Sequence, residues 1–245
     1  MKSGLTSTIA PARPEECEAV PALASGGACA TRTLTCKAGA DGAWRQALPP
    51  VAASTVAFSL TFASSNSSAE RAELHNVLFG DVYLCGGQSN MEFAMPADAN
   101  ASAEIAAADA YPHIRIFSVG HRTSSATPLR DLQTVWEPWQ VASRATIAKD
   151  FTPHSHLFAT FSAVCWHFGK SLSDRLAARG SVVPLGLVSN NWGGTKLEMW
   201  APATVFDECG VSPPPQPLGG PMWNAMILPY AAGPMALSGF VWYQG

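Results

Sequence analysis

The chain has 245 residues, 47% hydrophobic and only 13% charged, with a net charge of -3, enough for one full domain and a smaller second one. Its few Lys and Arg form no cluster, which argues against a nucleic-acid surface. The longest apolar stretches are strand-length or broken by Pro and Gly, well short of the roughly 20 residues of a bilayer-spanning helix.

The opening "MKSGLTSTIAPARPEECEAV" lacks the continuous apolar stretch of a secretory signal, so the chain as written shows no export address and a cytoplasmic location stays open. Residues 1–40, rich in Ala, Gly, Pro, Ser and Thr without clear periodicity, read as poorly ordered chain or a broken piece of a domain. Order is expected from Trp44. In "TVAFSLTFASS" the residues Val56, Phe58, Leu60 and Phe62 alternate on one face, so residues 41–77 read as a partial β-rich module. The six cysteines (Cys17, Cys29, Cys36, Cys85, Cys165, Cys209) show no CxxC spacing, which speaks against zinc and assigns no disulfide. Two sequons, at Asn66 and Asn100, matter only if the protein enters the secretory pathway.

A different pattern begins near residue 78. "VYLC" is of strand-forming type, and "HIRIFSV" (113–119), "VPLGLVSNN" (183–191) and "GFVWYQ" (239–244) are short apolar runs suited to strands buried on both faces. Between the second and third of these four, from Ala159 to Arg179, Phe161, Val164, Cys165, Phe168, Leu172 and Leu176 recur at helical spacing, and Gly180 follows as a cap. Strand, helix, strand alternation implies an α/β fold, a parallel sheet flanked by helices with ligand-binding loops at the carboxyl edge. The Pro-rich "SPPPQPLGGP" (212–221) reads as a surface loop.

Three strand ends then meet at one edge. "GGQSN" offers the hydroxyl of Ser89, "NNWGGT" offers the backbone N–H groups of Gly193 and Gly194, and "YQG" offers the amide of Gln244. Taken alone, Gly-Gly-Gln-Ser-Asn is also an ordinary turn. Together the three segments suit acyl transfer, in which negative charge develops on a carbonyl oxygen and needs fixed donors around it.

The blocks "FGDVYLCGGQSNM", "FSAVCWHFGKSL", "SNNWGGTKLEMW", "LGGPMWNAMILPY" and "SGFVWYQG" resemble, in this order, the sialate O-acetylesterase family of the SGNH hydrolase superfamily. The resemblance covers about residues 75–245, and the "W...LPP" segment resembles the end of that family's amino-terminal β-sandwich. It implies an SGNH-hydrolase-like, flavodoxin-like domain over residues 78–245, truncated at its carboxyl end. It further implies Ser89 as nucleophile, its own N–H and that of Gly194 or Gly193 as oxyanion donors, and Gln244 where many superfamily members place an asparagine. Asn224 and Glu198 fall in matching blocks as pocket-lining candidates, although such residues are also ordinary structural hydrogen-bonders. The implied substrate is an acetyl ester on a sialic acid hydroxyl, cleaved through an acetyl-serine intermediate with no cofactor or metal, in a lysosomal or secreted setting. An acetylated polysaccharide is the alternative substrate.

Other candidates have plainer readings. Cys85 could be a thiol nucleophile but alternates within a strand as a small buried hydrophobe. His154 and His156 suggest a metal pair or a base but read as loop residues, and His75, His113, His121 and His167 sit in no motif. Trp192, Trp200, Trp223 and Trp242 could stack on a sugar but lie beside apolar elements as core. A serine esterase needs a base, supplied in the SGNH superfamily by a D-x-x-H block, and no D-x-x-H occurs in this sequence. The expectation is therefore the front part of an esterase whose base lies outside residues 1–245. A non-catalytic product with a glycan-binding or regulatory role is the alternative.

Overall fold

The computed structural model describes residues 4–12, 30–65, 67, 70–120, 123–151, 158–211, 218–231 and 235–245. They form two units, Met1–Gly80 with Val182–Pro184, and Asp81–Ser181 with Leu185–Gly245.

The first unit is a four-stranded antiparallel sheet of β1 (Gly4–Pro11), β2 (Arg32–Lys37), β3 (Ser54–Ser64) and β4 (Arg71–Phe79), in the order β2-β1-β3-β4. Along β3, Val56, Phe58 and Leu60 alternate inward as their spacing predicts, and Ile9 joins them in a small core. Phe58 meets Phe79 edge to face at a centroid distance of 5.0 Å. The β3–β4 register shifts around Phe58, and Asn76 nearby takes a positive φ of 56°, as bulged strands require of a residue that tolerates the left-handed region. At Gly4–Pro11 and Arg32–Lys37, β1 and β2 replace the reading of poorly ordered chain and agree with its alternative, a piece of a domain. Ser7, Ile9 and Pro11 are buried while their neighbours are less so, but this alternation gains meaning only through pairing with β3, some fifty residues away, which local composition cannot register.

The second unit is built on β5 (Asp81–Gly87), β6 (Ile114–Val119), β7 (Val135–Val141), β8 (Leu185–Asn191) and β9 (Gly239–Tyr243), in the order β7-β6-β8-β5-β9. β5 runs parallel to β8 and β9, and β6 parallel to β8, as expected for an α/β sheet. β7, antiparallel to β6, went unread because "VWEPWQV" carries Pro138. Its place at the sheet edge makes the missing N–H tolerable.

Helices follow as α1 (Ser89–Glu92), α2 (Ala101–Ala107), α3 (Arg144–Ile147), α4 (Ala163–Ala178) and α5 (Ala203–Glu208), with a wide turn over Trp223–Ile227 continuing into α6 (Leu228–Ala231). The strands feed two separate apolar cores, as a sheet covered on both faces must. One gathers Cys85, Leu185 and Leu187 with Met91, Phe161, Cys165 and Trp166. The other gathers Leu84, Phe117 and Val188 with Trp200, Met222, Met226 and Tyr230. α4 opens with Ser162 accepting the Cys165 N–H at 3.1 Å and closes at Gly180, whose φ of +74° suits the residue after a helix end. In the first core Cys85 is disulfide-bonded to Cys165, tying β5 to α4. This overturns the reading of Cys85 as a free thiol nucleophile; its burial within the strand is as expected, while a pairing over 80 residues leaves no trace in local spacing.

Candidate functional site

The turn after β5 is fixed by backbone geometry. Gly87 has φ +141°, and a Cβ there would overlap the Tyr243 carbonyl. A Cβ on Gly86 would meet the Trp242 ring at 2.6 Å. The two glycines thus let β5 lie close to β9 where the chain turns. The Trp192 N–H donates to the Gly87 carbonyl at 3.1 Å, and the Gln88 N–H donates to the Tyr243 carbonyl at 3.3 Å. The ends of β8, β5 and β9 are thereby laced together just before Ser89.

Ser89 opens α1, so its N–H belongs to the first turn, where backbone donors have no intrahelical acceptor. Its side chain is partly exposed, and among the described residues its hydroxyl has no hydrogen-bond partner. Two residues on, Met91 is fully buried and anchors the turn in the first core. The Ser162 hydroxyl donates to the Met91 carbonyl, the Ala163 N–H to the Phe93 carbonyl at 2.7 Å, and the Met95 N–H to the Phe161 carbonyl at 3.2 Å. The start of α4 therefore clamps the turn that carries Ser89.

The loop after β8 approaches from the other side. A Cβ on Gly193 would lie 2.8 Å from a Glu92 carboxylate oxygen and 3.3 Å from the Ser89 Cβ, so Gly193 passes between those two side chains. Its N–H donates to Glu92 Oε2. Gly194, with φ +75° and open space at its Cβ position, exposes its backbone. Thr195 then pins the loop: its hydroxyl donates to the Trp192 carbonyl at 2.6 Å, and accepts from the Trp200 indole N–H at 2.8 Å. The Gln244 amide donates to the Thr195 carbonyl at 3.0 Å. Ser89, the glycine loop and Gln244 are thus mechanically one assembly.

The remaining candidates divide. Asn224 is fully buried and donates to the carbonyls of Gly219 and Ser125, both at 3.2 Å. Glu198 is exposed on the short helical turn Leu197–Trp200. Trp242 is exposed, against its expected place in the core, and meets the buried Trp200 edge to face at 5.6 Å. His154, His156 and His121, most of the Pro-rich loop, and Asn66 lie outside the described residues. His75 belongs to the first unit, 3.3 Å from Glu73. His167 on α4 bonds Asp98 at 2.7 Å, and together with the Asn100 N–H it holds the Asp98 carboxyl below its ordinary range, the backbone bond counting first. Burial lowers the His113 pKa, helped by Arg115. Among the described residues no cluster of three or more His, Cys, Asp or Glu is placed to hold a metal ion.

Sequence reasoning missed Glu92. An acidic residue three positions after the serine looks like ordinary first-turn decoration, and its role is visible only once the loop after β8 is folded against it. It also missed Glu137 on β7, fully buried, whose carboxyl is pushed up to about 7 by burial, with Lys149 opposing. Glu137 pairs across the strands with Ser118. Neither its Oε2 nor the Ser118 hydroxyl has a partner among the described residues.

The chain is 39% identical over 181 residues to sialate O-acetylesterase of Pongo abelii and 38% identical over 181 residues to that of Homo sapiens, with 70% of this chain aligned in each case. It spans about a third of their length, 32% in both. A solved carbohydrate acetylesterase from Xanthomonas citri superposes with a TM-score of 0.70 and 27% identity, covering 99% of this chain and 45% of that one. Residues 79–245 match the family described as carbohydrate esterase, sialic acid-specific acetylesterase, and the chain belongs to that family.

Proposed function

We propose that the protein is a sialate O-acetylesterase that removes acetyl groups from sialic acid hydroxyls through an acetyl-serine intermediate. The observation that carries the reading is the position of Ser89, first residue of a helix at the carboxyl end of β5, with Gly193 packed against its Cβ. In this reading Ser89 Oγ attacks the acetyl carbonyl carbon as a base removes its proton. The carbonyl oxygen becomes an oxyanion held by the N–H groups of Ser89 and Gly194 and by the Gln244 amide. Because the Gly193 N–H is committed to Glu92, Gly194 is the stronger candidate of the two glycines. Collapse expels the sugar oxygen, which takes up the proton, and water then hydrolyses acetyl-Ser89 to acetate. The base comes from a residue outside the described ones. No cofactor enters the scheme.

The disulfide between Cys85 and Cys165 supports a lysosomal or secreted location, since such bonds persist in oxidising compartments. The exposed Asn100 of the second sequon agrees with it. Among the described residues no helix is long and apolar enough to cross a membrane.

The test is acetate release by the protein at full natural length, with O-acetylated sialic acid and an acetylated plant polysaccharide offered separately. Release from the first that disappears in Ser89→Ala supports the proposal. Release only from the second transfers the substrate assignment, and release that survives Ser89→Ala rejects the nucleophile.

A further inference from the structure

We propose that Glu92 is a positioning residue that holds the oxyanion loop in register with the nucleophile, an inference that rests on the reading of Ser89 as nucleophile. Gly193 and Gly194 are consecutive, and glycine has the widest backbone freedom of any residue. A Gly-Gly segment that must present an N–H in one fixed direction therefore needs an external tether. On its far side Thr195 is fixed by Trp200 and Gln244. On its near side the tether is Glu92, which accepts the Gly193 N–H.

The anchor is itself well placed. Glu92 ends the four-residue helix that Ser89 begins, is 8% exposed, and its N–H donates to the Gln88 carbonyl at 2.9 Å. A displacement of α1 therefore carries Ser89 and the Gly193 peptide together, so the distance between attacking oxygen and oxyanion donor stays constant. The bond to a carboxylate is charge-assisted and stronger than one between neutral groups. What the site needs is an acceptor at that reach, because a negative charge beside a developing oxyanion confers no benefit of its own. Glutamine offers the same reach without the charge, and aspartate keeps the charge but falls one methylene short.

The experiment compares Glu92→Gln and Glu92→Asp with wild type at full natural length, with Ser89→Ala alongside. Steady-state kcat and KM are measured on 4-nitrophenyl acetate, with thermal unfolding as a check on each variant. The expected result is a kcat reduced roughly 10- to 100-fold in Glu92→Asp, the scale of a misplacement of about an ångström. KM changes little, and Glu92→Gln recovers kcat to within about fivefold of wild type. Equal losses in both variants, or a greater loss in Glu92→Gln, overturn the proposal, because charge or general packing would then be the contribution. Wild-type kinetics in both overturn it as well. Turnover that persists in Ser89→Ala is a different failure, that of the nucleophile assignment.

Discussion

The carbonyl oxygen of Tyr243 occupies the space in which Gly87 would carry a side chain, while accepting the N–H of Gln88 at 3.3 Å. A methyl group at position 87 must push β9 away from β5 or force the backbone out of φ +141°, and either change displaces Ser89. Gly87→Ala is therefore expected to destabilise the second unit by about 2 kcal/mol or more, combining backbone strain with a clash against main chain. Chemical denaturation checks it, and an unchanged midpoint would mean that the two strands separate freely.

Ser89→Ala removes one partly exposed oxygen and no core volume. The expected outcome is native-like thermal unfolding with kcat on an acetyl ester reduced by about 10⁴-fold or more.

Gln244 reaches the loop through Thr195, and its proposed contribution is to the oxyanion. Gln244→Ala should lower kcat by roughly 10²-fold, more than it raises KM, because an oxyanion donor acts on the transition state. A change confined to KM would make it a substrate-binding residue.

Glu137 yields a pH dependence whose sign is definite. Its carboxyl titrates at about 7 in the folded protein, above the ordinary value near 4.3. Between those values the folded state holds the extra proton, so this residue's contribution to stability declines as pH rises from about 4 to 7 and levels off above. Glu137→Gln is expected to flatten that decline and to raise stability at pH 8 by roughly 2–3 kcal/mol. Urea midpoints at pH 5 and pH 8 measure it, and a variant as pH-sensitive as wild type would rule Glu137 out as the source.

The bridge between Cys85 and Cys165 closes a separation of 80 residues. Chain entropy predicts that replacing both with serine costs on the order of 4 kcal/mol, read as a lower denaturant midpoint.

The α/β sheet was legible because β5, β6, β8 and β9 are each short, predominantly apolar segments, and α4 has a clean three- and four-residue rhythm ending at Gly180. What escaped depended on distant partners. β1 has no clean apolar alternation, since its inward positions include the polar Ser7 beside Ile9 and Pro11, and it acquires a core through β3. β7 carries Pro138 and exposes much of its length at the sheet edge. In the candidate site, "GGQSN", "NWGG" and "YQG" could be read from turn chemistry and the positions of strand ends. The Glu92 tether and the Ser162 clamp could not, since each joins segments 70 or more residues apart.

The central claim is that Ser89 carries the acetyl group between sugar and water. The direct measurement is mass spectrometry of the peptide containing Ser89, after the protein at full natural length is mixed with O-acetylated sialic acid and acid-quenched within one turnover. The account predicts an increment of one acetyl group on Ser89 that forms and decays as acetate appears, and no such increment in Ser89→Ala. Acetate released at the wild-type rate by Ser89→Ala, with no acyl group on the wild-type peptide, would contradict it.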